Sequence, residues 1–113
     1  MIVVVFSKPD LDCIVGGRGY YLFDTGMATA FLILMATELG LVAHPMGGFR
    51  ERRVKRTLGI PDEMRVIALV VVGRRSETLS PVLTESQKEG ERGRPERMPL
   101  EEFVHLNRYG EGE

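Results

Sequence analysis

Positions 27–36 read Met-Ala-Thr-Ala-Phe-Leu-Ile-Leu-Met-Ala, nine apolar residues in ten. Asp24, just before them, suits a helix N-cap, and Gly40, just after them, suits a stop. The segment after Asp24 reads as a helix to about Leu39 with almost no polar face. Such a helix must be covered on nearly every side, inside its own domain or against a second chain. Its uncharged stretch, Thr25 to Thr37, is too short for a bilayer, which takes about 20 residues.

The rest of the chain has to supply that cover. Residues 1–6 and 66–72 are unbroken apolar runs rich in β-branched residues, the pattern of strands covered on both faces. A second helix is expected from Arg50 to Leu58. Val54 and Leu58 face inward, Gly59 ends it and Pro61 prevents continuation. Residues 7–23 read as a loop, and residues 76–96 as a polar stretch rich in turn formers. Pro99, followed by Glu101 and Glu102, opens a third helix through about Asn107. Fifteen charged residues fall in 1–73 and sixteen in 74–113. Residues 1–73 therefore read as the compact part of a single domain, and residues 74–113 as an extended arm with a terminal helix. Two strands do not make a stable sheet; three or more are normally needed. The apolar surface exceeds what 113 residues cover alone. A homodimer or larger assembly is expected, with the 25–39 helix at its interface.

Composition narrows the function classes. Fifteen basic and sixteen acidic residues leave a net charge of −1, which is not that of a basic nucleic-acid binder. One cysteine and two histidines exclude a disulfide scaffold and leave little for a metal. Met1 runs straight into the first apolar stretch, with Lys8 and Asp10 close behind. No signal peptide is read, and a cytoplasmic protein without a membrane partner is the expectation.

Four features could carry chemistry. Gly16-Gly17-Arg18-Gly19 has the glycines of a phosphate loop but no Lys-Ser/Thr, and equally suits a loop tip. Arg50-Glu51-Arg52-Arg53-Val54-Lys55-Arg56 could touch phosphates, or form a solvated helix face. Cys13 and His44 have no activating neighbour in sequence. The most informative stretch is His44-Pro45-Met46-Gly47-Gly48-Phe49, read as the turn between the two main helices. Two adjacent glycines let a planar ligand approach the backbone, with N–H groups aimed at an acceptor near a helix start. An ordinary helix–helix turn would also use them. No side-chain triad or paired-carboxylate pattern is present, so any enzyme chemistry is expected to reside in a cofactor.

These pieces together resemble a known family. Asp24-x-Gly26-x-Ala28, Leu32-x-Leu34-x-Ala36 and Leu39-Gly40-Leu41 look like the central helix of FMN-dependent nitroreductases. His44-Pro45-Met46-Gly47-Gly48-Phe49 is similar to that family's flavin-facing turn. Leu58-Gly59-Ile60-Pro61, the strand ending in Gly73 and Arg97-x-Pro99-Leu100-Glu101-Glu102 follow in the family order. The resemblance implies an α+β fold with a mixed sheet and a long buried central helix, completed by an intertwined homodimer with FMN at its interface. It implies that Gly47 and Gly48 lie beside the N5 edge of the flavin, that Pro45 and Met46 neighbour the ring, and that Arg97, with Arg94 close by, holds the phosphate. A further N-terminal section that grips the ribityl phosphate in the family has no counterpart in this sequence, so the chain reads as a truncated form. Arg50 stands where the family usually has an acidic residue. The implied function is an NAD(P)H oxidoreductase that passes electrons from reduced flavin to nitroaromatic or quinone-like small molecules. The alternative is a non-catalytic remnant of the fold that serves as a binding or assembly module with another chain.

Overall fold

β-Branched side chains favour the pleated backbone, and both apolar runs form strands in the computed structural model, which describes residues 1–93 and 95–110. In chain order the elements are β1 (Ile2–Ser7), a short 3₁₀ turn (Pro9–Leu11), β2 (Ile14–Val15), β3 (Arg18–Gly19), α1 (Tyr21–Glu38), β4 (Val42–Met46), α2 (Glu51–Leu58), β5 (Arg65–Gly73), α3 (Glu85–Arg92) and a 3₁₀ turn (Leu100–Glu102). The chain divides into two units, Met1–Arg75 and the segment from Ser76 onward. The first holds both sheets, α1 and α2; the second holds α3 and the last turn.

The main sheet has the order β1-β5-β4, antiparallel at both pairings. The implied mixed sheet is thus corrected for this chain: among the described residues no parallel pair forms. Val70 is the centre, opposite Val3 on one side and Pro45 on the other, and its exposure is 0%. Strand residues alternate between faces. Ala36, Val70 and Val72 form the core with Val3, Val5, Leu32, Leu41 and Ala43 packed around them, so this face lies under α1. Leu69, Ile2 and Val4 look to the opposite face, toward α2.

The third strand answers the shortage of strands, and it corrects the reading of 44–46 as a turn. Proline removes a ladder donor, which is tolerated at a sheet edge, and Pro45 lies in the edge strand β4.

α1 begins four residues earlier than expected, so Asp24 sits in its first turn and is not the N-cap. A carboxylate there still favours the positive end of the helix dipole. The helix ends as expected. Gly40 adopts φ +70°, and the Leu41 and Gly40 N–H groups donate to the Ala36 and Thr37 carbonyls at 2.8 and 3.0 Å. This left-handed cap turns Leu41 back onto the core. In a single chain α1 is not buried: only Ala36 is, while Phe31 is 70% and Leu34 64% exposed. The sheet covers one stripe of the helix and leaves the other bare.

Two further expectations change. Residues 7–23 contain a small β2–β3 hairpin whose turn is Gly16–Gly17, so the glycine run serves as a turn. In the second unit, the polar stretch holds α3, opened by a reciprocal Thr84–Gln87 capping box. The helix expected from Pro99 to Asn107 is only the turn Leu100–Glu102.

α2 is tied to β5 through Glu51. Its Oε1 accepts from the Val66 N–H at 3.0 Å and pairs with Lys55 Nζ at 3.2 Å and Arg65 Nε at 3.7 Å. The Val66 hydrogen bond, then Lys55 and Arg65, hold the carboxyl below its ordinary value. A lowered folded-state pKa contributes stability above the unfolded value, lost as pH falls through the folded value. Glu51→Gln is therefore expected to lower Tm at pH 7, with the difference from wild type persisting to about pH 4 and shrinking below it. Melting curves followed by circular dichroism across that range check this; a constant difference down to acid would place the effect elsewhere.

The cleft beside the Gly47–Gly48 corner as candidate functional site

After β4 the chain passes through Gly47, Gly48 and Phe49 to Arg50, which caps α2 in extended conformation without a side-chain cap. Phe49 N–H donates to the Gly47 carbonyl at 3.2 Å. This corner forms one wall of a cleft of about 840 Å³. Ile2, Val4 and Leu69 of the sheet line it, and so do Arg50, Arg53, Val54, Thr57 and Leu58 from α2 and its cap. The size lies in the range of small-molecule sites, about 300–1,000 Å³.

The two glycines are not explained by the chain itself. Neither has positive φ. A Cβ built on either meets nothing within 4 Å. Turn geometry and internal crowding, the usual reasons for glycine, are both absent here. Gly26, Gly73, Gly90 and Gly93 share both properties; what distinguishes Gly47 and Gly48 is that they line the cleft, where the missing Cβ leaves the backbone open to close approach.

The other expected site residues fall on different elements. Met46 pairs in register with Leu69 and Pro45 with Val70. Met46 therefore shares the cleft-side face of the sheet, and Pro45 the α1 side. Arg97 lies exposed in the second unit. Arg94 falls outside the described residues. Arg50 and Arg53 were not expected at the site. Their signal was present in the density of arginine directly after the two glycines.

The remaining candidates stay apart from the cleft. Asp12 accepts the Cys13 N–H at 2.6 Å, which, with a hydrogen bond to Asp24, holds its carboxyl low. Asp24 is pushed up, first by that hydrogen bond to Asp12. Desolvation and the Asp12 carboxylate push the Cys13 thiol up, opposite to the shift of an activated nucleophile. Among the described residues no group of three or more His, Cys, Asp or Glu gathers as a metal site. No helix among them is long and apolar enough to cross a membrane.

Fold and corner together define an α+β scaffold with a ligand-sized cleft between one sheet face and α2, and comparisons place it. The sequence model of the nitroreductase family matches residues 15–74. An uncharacterised 15.4 kDa protein of Mycolicibacterium smegmatis is 38% identical over 93 residues, covering 80% of this chain and 60% of that protein. The crystal structure of an oxidoreductase containing FMN is 29% identical with TM-score 0.72, covering 96% of this chain and 55% of the other. A nitroreductase family protein from Clostridium novyi NT is 27% identical with TM-score 0.63, covering 96% and 51%. The chain belongs to the nitroreductase family. It spans 51–60% of the length of these relatives.

Proposed function

We propose that this chain forms the flavin-facing part of an FMN-dependent NAD(P)H oxidoreductase, assembled as a homodimer. The observation that carries this reading is the Gly47–Gly48 wall: two glycines that their own chain does not require, lining a cleft that admits a flat ring system. Family membership and the FMN-containing structural relative agree with it.

The residues present fit the ring portion of the group. The main-chain amides of Gly47 and Gly48 donate to its edge, with no Cβ to hold it away. Met46 and Pro45 flank the corner, and the apolar floor of Ile2, Val4 and Leu69 keeps water from the ring. The family resemblance would assign the phosphate to Arg97 and Arg94. The bare stripe of α1 packs against the second subunit, which closes the site. When bound, FMN supplies the redox chemistry, between NAD(P)H and a nitroaromatic or quinone-like acceptor, and the protein supplies position and exclusion of water.

Titration with FMN tests this directly. The full chain is expected to quench flavin fluorescence, turn yellow and bleach on addition of NADH or NADPH. Gly48→Val is expected to weaken FMN binding at least about tenfold, roughly 1.4 kcal/mol. Its melting temperature should stay near wild type, since the added side chain meets nothing of its own chain. A protein that leaves FMN fluorescence untouched at all concentrations overturns the reading.

A further inference from the structure

The two edges of the main sheet differ. In an antiparallel ladder, opposed residues alternately exchange both main-chain hydrogen bonds or neither. Met1 and Val72 exchange both, at 2.9 Å each. Along the register from there, Val3–Val70 and Val5–Ala68 are bonded pairs, and Ile2–Val71 and Val4–Leu69 are not. The N–H and C=O groups of Ile2 and Val4 therefore point away from β5, into the space beside β1. On the other side of β5 the same alternation makes Pro45–Val70 a non-bonded pair. The nitrogen that β4 turns outward there carries no hydrogen, which blunts that edge as natural sheets do. β1 has no such guard. Met1 to Ser7 contains no proline and no charged side chain. The irregularity between Val5 and Phe6 puts its extra residue, Ile67, on β5. Among the described residues no strand lies beyond β1.

The space beside this edge is also bounded by α1. Thr25, Ala28, Thr29 and Leu32, on one face of the helix, border a groove of about 240 Å³ with Val5 and Phe6. Both threonine hydroxyls donate one turn back, Thr25 to the Tyr21 carbonyl and Thr29 to the Thr25 carbonyl, each at 2.7 Å. Neither needs a partner from the groove, which therefore suits apolar side chains. An open strand edge beside such a groove fits an extended segment. Its main chain meets Ile2 and Val4, and its alternate side chains enter the groove.

We propose that this segment is β1 of a second copy, paired antiparallel about a two-fold axis through Val4. Val4 then lies opposite Val4, and each donates its N–H to the other's carbonyl, the groups that β5 leaves unused. Ile2 lies opposite Phe6, and Val3 opposite Val5. Every cross-strand pair is β-branched, or β-branched against aromatic, which favours adjacent strands, and no like charges meet. Val3 and Val5 pack on the α1 side of the sheet, so those of the copy continue that face into the groove. The contact is isologous and closes on itself. It is separate from the Phe31–Leu34 stripe, which lies on the far side of α1 from Thr25 and Leu32, and it does not rest on the flavin reading. Ile2 to Phe6 is a short contact beside the about 20–30 residues a side of a standard interface. The association is therefore weak, and it forms above the concentrations at which helix-paired dimers form.

Sedimentation equilibrium of the full chain carrying Phe31→Glu/Leu34→Glu isolates this contact from the helix stripe. A monomer–dimer equilibrium is expected, with Kd on the order of 0.1–1 mM. Two further substitutions in that chain are each expected to weaken it at least tenfold, with melting by circular dichroism still cooperative. Val4→Pro removes an outward N–H and no ladder bond. Ala28→Glu puts a charge in the groove at a residue exposed in the single chain. Register is read by oxidation of chains carrying Cys13→Ser. Val4→Cys is expected to give a disulfide dimer, because Cα atoms of a bonded pair lie about 5.5 Å apart, within disulfide reach. Ile2→Cys is expected to give none, because its counterpart lies roughly 13 Å along the partner strand. Absence of association at the highest soluble concentration overturns the proposal. So does association that neither Val4→Pro nor Ala28→Glu weakens, or a disulfide that forms as readily at position 2 as at position 4.

Discussion

Val70→Asp is expected to abolish the folded state. Val70 is the one large side chain fully buried among the described residues, at the crossing of the central strand with α1. An aspartate there has no cation within the core to pair with. An uncompensated buried charge costs about 3–5 kcal/mol or more, beyond the loss of valine's apolar burial of roughly 1.5–3 kcal/mol. Domains of this size have about 5–15 kcal/mol in total, and the buried core here is small: Ala36, Val66, Val70 and Val72. Circular dichroism should show no cooperative thermal transition for the variant. Val70→Ala, which removes only methyl groups, is expected to melt cooperatively at lower temperature. An aspartate variant that melts within a few degrees of wild type would refute the central place of β5.

The second large effect concerns assembly. Phe31 and Leu34 are exposed in the single chain, at 70% and 64%, so glutamate at both positions removes little packing within it. If α1 is the face that pairs with a second copy, the double variant loses two buried apolar side chains per protomer, and acquires charge there. Lost burial alone is worth about 3 kcal/mol or more, a hundredfold or more in dimer Kd. Sedimentation should show a dimer for wild type and a monomer for Phe31→Glu/Leu34→Glu, with FMN affinity falling in parallel. A wild-type chain that remains monomeric at high concentration would remove the homodimer from the proposal. One that sediments only with a different protein would favour the assembly-module alternative.

Local chemistry was readable wherever one residue type forces one backbone state. The β-branched runs became β1 and β5, Gly40 ended α1, and Gly59 ended α2 in the left-handed conformation. Reading failed where two local preferences compete. Val42–Met46 contains a proline and runs into two glycines, so its turn chemistry concealed a strand. Pairing with β5 along a free edge decided the matter, because edge strands accept the missing N–H. The Thr84–Gln87 capping box was visible as Thr-x-x-Gln but lies in a charged stretch without apolar periodicity, and so escaped notice. At the site, Gly47 and Gly48 were legible as candidates, because glycine is a local property. Arg50 and Arg53 were legible only as part of an arginine-rich run; their place in the cleft was not, because it depends on which side of α2 faces the sheet.

What the amino-acid order determined by itself was the set of elements with strong local causes: two apolar strands, a long apolar helix with a glycine cap, and a charged helix after a glycine pair. Sterics and backbone preference within a few residues are enough for these. Only the tertiary structure decided that β5 lies between β1 and β4, that α1 keeps one apolar side open, and that the glycine corner and two unpaired arginines share one cleft. Those outcomes depend on contacts between segments distant in sequence, where burial of apolar surface, and not local propensity, selects the arrangement.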